Sequence, residues 1–219
     1  MASIGSHASI RYGVSNKENP FCQAPLKHIK KYQLDNKTGL DQSLIDSIVS
    51  FYKSGGTDGK SQPLLFKGKQ SSGNLFLHKR DDIQTLKGII EKQVLEYLEY
   101  YKESAEGFIK YWPQKYKLYG WLVAMQSGGK LDAHIHKEGW LSGSLYFKMP
   151  TKLNKNEGNI VFGIDGANYP KDDKKYPQEI IDVEQGDLVM FPSSLFHHTL
   201  PFESQEERIS FAFDIIPES

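Results

Sequence analysis

Three histidines in the second half of the chain have the residue type and the spacing that a metal site needs. His134 and His136 are separated by one residue within the stretch 133–137, which favours a β-strand. Because side chains alternate between the two faces of a strand, both imidazoles point the same way. A third imidazole from a distant strand would complete the ligand set, and His197 is the candidate. Neutral imidazole suits iron, zinc, copper and nickel, so the sequence predicts a transition-metal site.

The other four histidines have simpler interpretations. His7, His28 and His78 each stand alone, and a single histidine is more often a hydrogen-bonded structural residue than a metal ligand. His198 directly follows His197. Since neighbouring residues of a strand face opposite sides, only one of these two points inward, and the local pattern does not decide which.

Short strands preceded by helices would position these residues. Apolar spacing predicts helices near 40–52 and 83–101, the second capped by Asp81 or Asp82. From residue 116 onward, Gly, Asn and Pro break the chain into short β-branched and aromatic runs. These runs predict strands near 117–126, 132–137, 140–149, 158–164, 178–182, 187–191, 194–200 and 208–215. The order favours a mainly β fold with N-terminal helices, either an antiparallel sandwich or a jelly roll.

The same pattern predicts three parts of the chain. Residues 1–20 are expected to form a flexible arm, residues 21–115 a helical support region packed on a barrel, and residues 116–219 the β core. The loop 166–177 carries a run of charges. We interpret it as a solvated surface, with a substrate lid as the less favoured alternative.

Composition excludes several classes of protein. Of the 219 residues, 38% are hydrophobic and 25% are charged, which is typical of a globular domain. The formal net charge is zero, so nucleic acid and anionic lipid are not expected partners. No stretch has the roughly 18 apolar residues of a spanning helix. One cysteine, Cys22, and the lack of an apolar signal segment lead us to expect a cytoplasmic protein.

A longer pattern resembles the Fe(II)/2-oxoglutarate-dependent oxygenases. Residues 186–193 (Gly-Asp-Leu-Val-Met-Phe-Pro-Ser) are followed by His197, Thr199 and Pro201, and then by Arg-Ile-Ser at 208–210. More narrowly, the His-Ile-His of 134–136 with Trp-Leu-Ser-Gly-Ser-Leu-Tyr at 140–146 resembles the 2OG-Fe(II) oxygenase family found in phage and bacteria and behind tetratricopeptide repeats. That family also tends to have a stretch like Gln-Ser-Ser-Gly-Asn-Leu at 70–75. The resemblance covers about residues 65 to 217.

The resemblance implies a double-stranded β-helix, which is a cupin-like jelly roll and agrees with the predicted strands. It assigns His134, His136 and His197 to Fe(II), and it favours His197 over His198, which would face away. Three facial ligands leave positions for the 2-oxo acid and for O2. The implied activity is that of a dioxygenase, most simply a hydroxylase of a small-molecule or peptide substrate.

The resemblance also implies residues that bind the co-substrate 2-oxoglutarate (2OG). The planar guanidinium of Arg208 would hold the distal carboxylate, and Ser210 lies on the same strand face. Tyr146 is interpreted as a core residue or as a further donor to a carboxylate of the co-substrate. The competing interpretation of Arg208 is a surface arginine, because Glu206 and Glu207 precede it.

The sequence departs from the superfamily pattern at one ligand. The general triad is His-x-Asp/Glu followed by a distant His, and His136 stands where the carboxylate is expected. Three neutral imidazoles leave more positive charge on Fe(II) than a site with a carboxylate does. Glu138 and Asp132 are therefore alternative ligands, since alternation puts both on the face of His134, and Glu138 is the better of the two.

Two other classes of function remain open. A cupin-type metal enzyme or small-molecule binder that does not use 2OG would explain the spacing of Gly186, Pro192 and His197, but it gives Arg208 no role. A non-catalytic domain with a degenerate site is the other alternative. The substrate is not predictable, and the polar stretch 70–74 is either an ordinary turn or a contact at the mouth of the site.

Overall fold

In this computed structural model the described residues are 2–166 and 168–218. Over these ranges the chain forms four α-helices and ten β-strands. The helices are α1 (Ala2–Tyr12), α2 (Gln42–Lys53), α3 (Asp81–Tyr100) and α4 (Gly107–Lys110). The strands are β1 (Lys30–Gln33), β2 (Gly59–Lys60), β3 (Leu65–Ser71), β4 (Tyr116–His134), β5 (Leu141–Lys148), β6 (Ile160–Gly163), β7 (Gln178–Ile181), β8 (Asp187–Pro192), β9 (Phe196–Thr199) and β10 (Arg208–Pro217).

The strands form one curled antiparallel sheet. Its main path runs β1-β8-β5-β10-β4-β9-β6-β7, and the β2–β3 hairpin joins it where β3 pairs with β4. β10 lies between β4 and β5, with Ser210 opposite Val123 on one side and Tyr146 on the other. On the far side of β4, His134 is the register partner of His197 in β9. The predicted mainly β fold with preceding helices is confirmed, and the pairing brings distant motifs onto neighbouring strands.

The two long helices cover one face of the sheet. Leu86 and Ile90 of α3 pack in the same apolar cluster as Phe211 and Phe213 of β10, and all four are fully buried. Burying side chains of this size stabilises a fold by roughly 1.5–3 kcal/mol each, so this contact is a main source of stability. The bounds of α2 and α3 differ by one or two residues from the predicted helices.

Aspartates fix the beginnings of both helices, although in different ways. Asp41 caps α2, because its Oδ1 accepts the backbone N–H of Leu44 at 2.8 Å. In α3 the cap position is Arg80, and both predicted capping aspartates lie in the first turn instead. Asp82 accepts a hydrogen bond of 2.6 Å from Ser47, which ties α3 to α2.

The N-terminal segment has more structure than its sequence predicts. Within the expected flexible arm, α1 packs against the loop 168–176. The ring of His7 stacks on Tyr176 with centroids 4.8 Å apart, and its Nε2 lies 3.0 Å from the carbonyl oxygen of Pro170. Ser3 forms a hydrogen bond of 3.0 Å with Tyr169. These contacts come from residues far along the chain, so local composition carries no sign of them.

Strand boundaries differ from the prediction in two places. Residues 117–126 and 132–137 were expected to be two strands around a Gly-Gly turn, but β4 runs through that turn. Gly128, with φ of +74°, takes an irregular position inside β4 instead of reversing the chain. The strands β1 and β3 lie in the region expected to be helical, and their polar, lysine-containing sequences lack the alternation of a half-buried strand.

Candidate metal and co-substrate site

The three predicted metal ligands meet at one end of the sheet. His134 is the last residue of β4, His197 lies opposite it in β9, and His136 lies two residues beyond the end of β4. The backbone N–H of His136 donates to the carbonyl of Ser193 at 3.0 Å, which fixes the chain beyond the strand. The ring centroids of the three histidines lie 4.3, 4.9 and 5.2 Å apart. The sheet thus brings together residues that are remote in sequence.

Backbone carbonyls fix the tautomers of two of these histidines. Nδ1 of His134 lies 2.8 Å from the carbonyl oxygen of Asp132, and Nδ1 of His197 lies 3.1 Å from that of Leu195. A carbonyl oxygen only accepts, so Nδ1 carries the proton in both rings. Each Nε2 therefore presents a lone pair toward the space between the rings.

A carboxylate fixes the third tautomer. Nδ1 of His136 lies 2.6 Å from Oδ1 of Asp214, so in the neutral ring the proton is on Nδ1 and the lone pair of Nε2 lies 3.3 Å from Nε2 of His134. Two lone pairs at this distance cannot form a hydrogen bond and repel each other unless a cation lies between them. Metal–nitrogen bonds of about 2.1 Å at a right angle place the nitrogens roughly 3 Å apart. The ligand atoms of all three histidines lie within 4.8 Å of one another, so this donor set fits a metal ion.

Burial keeps His134 and His197 in the form that binds metal. It lowers the pKa of His134 to about 4, and the neighbouring His136 adds to this effect. Burial also lowers the pKa of His197 well below its usual range, with both other histidines contributing. His197 is 6% exposed and packs against the rings of Phe162 and Phe191. Both residues are therefore neutral at pH 7, ready to coordinate without first losing a proton.

The alternative carboxylate ligands lie outside the cluster. Within residues 2–166 and 168–218, neither Asp132 nor Glu138 belongs to the group of mutually close ligand atoms around His134. The carboxylate of Asp132 forms an ion pair with Lys130 at 2.8 Å. His198 alternates with His197 along β9 and is half-buried, opposite Val161 of β6.

Arg208 is buried, contrary to the surface interpretation. It is 2% exposed, and its Nε donates to the carbonyl oxygen of Gly158 at 2.9 Å. Burial lowers the pKa of its guanidinium, and no carboxylate of the described residues pairs with it. Glu206 and Glu207 point elsewhere, toward the backbone of residue 151 and toward Lys53 respectively. An unpaired buried guanidinium is costly, so its position beside a cavity fits a bound anion.

Tyr146 and Ser210 lie beside this guanidinium. The guanidinium carbon of Arg208 is 4.9 Å from the centroid of the Tyr146 ring. The Tyr146 hydroxyl is buried and has no hydrogen bond of normal geometry within the described part of the chain. Burial raises its pKa, and the nearby Arg208 guanidinium opposes that rise. Ser210 is 4% exposed and lies next to Tyr146 in the sheet. A buried hydroxyl without a partner and an unpaired guanidinium fit the carboxylate of a 2-oxo acid.

A cavity of about 480 Å³ joins the three histidines to Arg208. Tyr119 and Trp121 line it, and the Trp121 ring lies 5.5 Å from that of His136. Of the polar stretch 70–74, Gln70, Ser71 and Gly73 line the same cavity. Asn74 does not, because its side chain bonds to the backbone at Leu118 and Gly120. A second, larger cavity of about 1240 Å³ adjoins the histidines on the side of α1.

Three residues of the site were missed by the sequence analysis. Asp214 accepts from Ser142 Oγ at 2.6 Å as well as from His136, and Ser142 Oγ lies 2.7 Å from Ser193 Oγ. Alternation along β10 could have predicted that Asp214 lines the site, because it lies on the same strand face as Arg208. Both serines stand inside the motifs that carry the family resemblance, but only the sheet register shows that they meet.

A second group of ligand-type residues does not fit a metal ion. Cys22, His28 and Glu106 have ligand atoms within 4.8 Å of one another. Nδ1 of His28 lies 3.1 Å from the carbonyl oxygen of Ala24, and its Nε2 lies 3.0 Å from Ser104 Oγ. Both carboxylate oxygens of Glu106 accept backbone N–H groups. The side chains of His28 and Glu106 thus form hydrogen bonds that stabilise the N-terminal region. This agrees with the structural role predicted for His28.

Comparisons with known proteins agree with this geometry. Residues 119–214 match the model of the family described as "Putative 2OG-Fe(II) oxygenase". No curated protein matches the chain. None of the helices described in residues 2–166 and 168–218 has the length and apolar character to cross a membrane.

Several solved structures share the fold. A prolyl-4-hydroxylase from Pseudomonas putida is 12% identical with a TM-score of 0.59, over 87% of this chain and 92% of that one. A viral collagen prolyl hydroxylase from Paramecium bursaria Chlorella virus-1, in complex with 2OG, is 14% identical with a TM-score of 0.55, over 88% and 97%. HygX from Streptomyces hygroscopicus, with nickel and 2OG bound, is 12% identical with a TM-score of 0.55, over 87% and 83%.

These likenesses confirm the predicted double-stranded β-helix over most of the chain. The family match lies on the strands that carry the histidines and Arg208, and the family is named for its use of Fe(II) and 2OG. Residues 119–214 thus match the model of the 2OG-Fe(II) oxygenase family, and most of the chain shares the fold of solved 2OG-dependent oxygenases.

Proposed function

We propose that this protein is an Fe(II)- and 2OG-dependent hydroxylase in which His134, His136 and His197 hold the iron. Arg208, assisted by Tyr146 and Ser210, binds the distal carboxylate of 2OG. The observation that supports this most is the convergence of three imidazole rings at a cavity whose other end holds an unpaired buried guanidinium. Metal and dianion would each satisfy one of these otherwise unfavourable features.

The residues of the chain have distinct tasks in such a reaction. When bound, iron and 2OG supply an oxidation that consumes O2, converts the 2-oxo acid to succinate and CO2, and turns a substrate C–H into C–OH. Arg208 orients the co-substrate, since its two-pronged donor geometry allows one placement of a carboxylate. Phe162 and Phe191 surround His197 and exclude water from that side.

The substrate we propose is a small molecule or a peptide. The larger cavity beside the histidines is lined by the segment 132–140, by the start of α1 and by Asn168, Tyr169 and Lys171. Its volume of about 1240 Å³ exceeds what a small metabolite alone requires. Two of the similar structures are named as prolyl hydroxylases, which supports a peptide as one candidate.

A cupin-type activity without 2OG is the less favoured alternative. It would leave the buried guanidinium of Arg208 and the unbonded hydroxyl of Tyr146 without a role. A cytoplasmic location also stays part of this proposal, supported by the single buried, free cysteine Cys22.

Two neighbouring histidines offer a matched test of the metal site. Purified apoprotein is titrated anaerobically with Fe(II), and succinate formation is then measured with O2, 2OG and candidate substrates. His197→Ala should lose tight metal binding and succinate formation, whereas His198→Ala, changed one residue away on the opposite face, should retain both. Equal metal binding by the two variants, or no 2OG binding by the metal-loaded wild type, would overturn the proposal.

A further inference from the structure

The three-histidine site lacks a charge that the usual facial triad supplies. In a 2-His-1-carboxylate site with 2OG bound, Fe(II), one carboxylate and the dianion sum to a net charge of about −1. With three neutral imidazoles the same sum is about zero. Within the described residues, no carboxylate joins His134, His136 and His197 as a fourth close ligand. Any compensation must therefore come from a group that contacts a ligand rather than the metal.

Asp214 is placed to provide this compensation. Its side chain is 12% exposed, and its Oδ1 lies 2.6 Å from Nδ1 of His136. The same oxygen accepts the hydroxyl proton of Ser142 at 2.6 Å, and Ser142 in turn lies 2.7 Å from Ser193 Oγ. Since a hydroxyl donates one proton, Ser142 donates to Asp214 and accepts from Ser193. The chain of donors runs in one direction and ends on the carboxylate.

We infer that Asp214 is a positioning residue that transmits its negative charge through the His136 imidazole, so that the pair takes the place of the missing carboxylate ligand. This inference rests on the proposed function. A carboxylate bonded to the outer nitrogen of a ligating imidazole fixes the ring and makes the other nitrogen a stronger donor. His136 stands at the position where the general triad has Asp or Glu. The negative charge of Asp214 is therefore bonded to the same ligand that replaces the usual carboxylate.

Other nearby groups do not have this geometry. His134 and His197 donate their Nδ1 protons to backbone carbonyls, which carry no net charge. Asp132 pairs through its side chain with Lys130. Among the three histidines, His136 is thus the one with a carboxylate on its outer nitrogen.

The test separates the charge of Asp214 from its hydrogen bonds. Asp214→Asn keeps the shape and one acceptor oxygen but removes the charge. Ser142→Ala keeps the charge and removes the hydroxyl that donates to Asp214 and lies 3.0 Å from Nδ1 of His136. We expect Asp214→Asn to weaken anaerobic Fe(II) binding about 10–100-fold and to raise the Fe(III)/Fe(II) potential of the loaded protein. Ser142→Ala should weaken binding by less than Asp214→Asn and leave the potential close to that of the wild type.

Asp132→Asn is the matched control, because it removes a nearby carboxylate that bonds to no imidazole. Its effect on Fe(II) affinity should stay below about fivefold, as for an exposed ion pair. Thermal unfolding of each apoprotein checks that the variants fold. Unchanged affinity and potential in folded Asp214→Asn would overturn the inference while leaving the proposed function intact, and so would equal effects of Asp214→Asn and Ser142→Ala. Absence of metal binding by the wild type would overturn both.

Discussion

Replacing Arg208 with methionine should separate the stability of the apoprotein from its affinity for 2OG. The guanidinium is 2% exposed, holds one hydrogen bond, to Gly158, and has no carboxylate partner in the described residues. Removing such a charge relieves a desolvation cost of several kcal/mol, while the lost hydrogen bond costs about 1 kcal/mol. We therefore expect the apoprotein of Arg208→Met to be at least as stable as the wild type.

The same substitution should remove most of the binding of 2OG. Taking away one member of a buried ion pair costs about 3–5 kcal/mol, which corresponds to a loss of affinity of roughly 100-fold to several thousand-fold. At 2OG concentrations 100-fold above the Kd, linkage stabilises the wild type by about 2.7 kcal/mol. For a domain of this size, that raises the Tm by roughly 5–11 °C. The corresponding rise for Arg208→Met should be below about 2 °C.

Thermal unfolding measures the stability of the protein with and without 2OG, and calorimetric titration measures its affinity for 2OG. In both assays Ni(II) replaces Fe(II) to prevent turnover. Arg208→Lys keeps the charge without the planar fork and should lie between wild type and Arg208→Met. Glu207→Gln changes a neighbouring charge that pairs with Lys53 at the surface, and should behave like the wild type. An undiminished Tm shift in Arg208→Met would refute the assignment of the carboxylate-binding role. A strongly destabilised apoprotein would instead refute the view of Arg208 as an unpaired buried charge.

Two further predictions concern the histidines. His136→Ala should weaken Ni(II) binding by more than about 100-fold, whereas Glu138→Gln should change it by less than about fivefold. Calorimetric titration measures both affinities. A larger loss of affinity in Glu138→Gln than in His136→Ala would make Glu138 a ligand. Because burial lowers the pKa of His134 to about 4, the unfolded chain binds more protons than the folded one between pH 4 and 6.5. The apoprotein should therefore gain stability as pH rises through this window, by up to about 3 kcal/mol from His134. Urea unfolding at several pH values measures this gain. A free energy of unfolding that does not change with pH, or a pH dependence that is the same in His134→Gln, would contradict the prediction.

The sequence predicted the parts of the site that follow from alternation along a strand. Arg208 shares a cavity-lining face with Ser210, as the period of two requires. His134 and His136 line the same cavity, although β4 ends at His134 and the bond to Ser193 positions His136. The burial of Arg208 was harder to predict, because Glu206 and Glu207 give its neighbourhood the composition of a surface. Glu206 is exposed and Glu207 is partly buried, and the strand begins directly after them with the buried arginine.

Features that depend on long-range pairing could not be predicted in this way. The bond between Asp214 and His136 requires β10 to lie near the end of β4, which only the assembled sheet establishes. The helix α1 is stabilised by contacts such as that of His7 with Tyr176, far along the chain, and its own sequence has no strong amphipathic pattern. The strand β1 also depends on a distant contact. Its polar residues form a strand because they pair with the edge of β8.

Strand β10 shows why fold and site are specified together. Phe213 is in register with Gly120 of β4 on one side and with Gly143 of β5 on the other. A Cβ at Gly143 would lie 2.3 Å from the Phe213 ring, so the glycine in the Leu-Ser-Gly-Ser motif is needed to seat that ring against the helices. Phe213 alternates with Asp214, which lines the cavity and bonds to Ser142, the residue next to Gly143. One face of the strand thus packs the core, and that packing holds the charged groups of the other face in position.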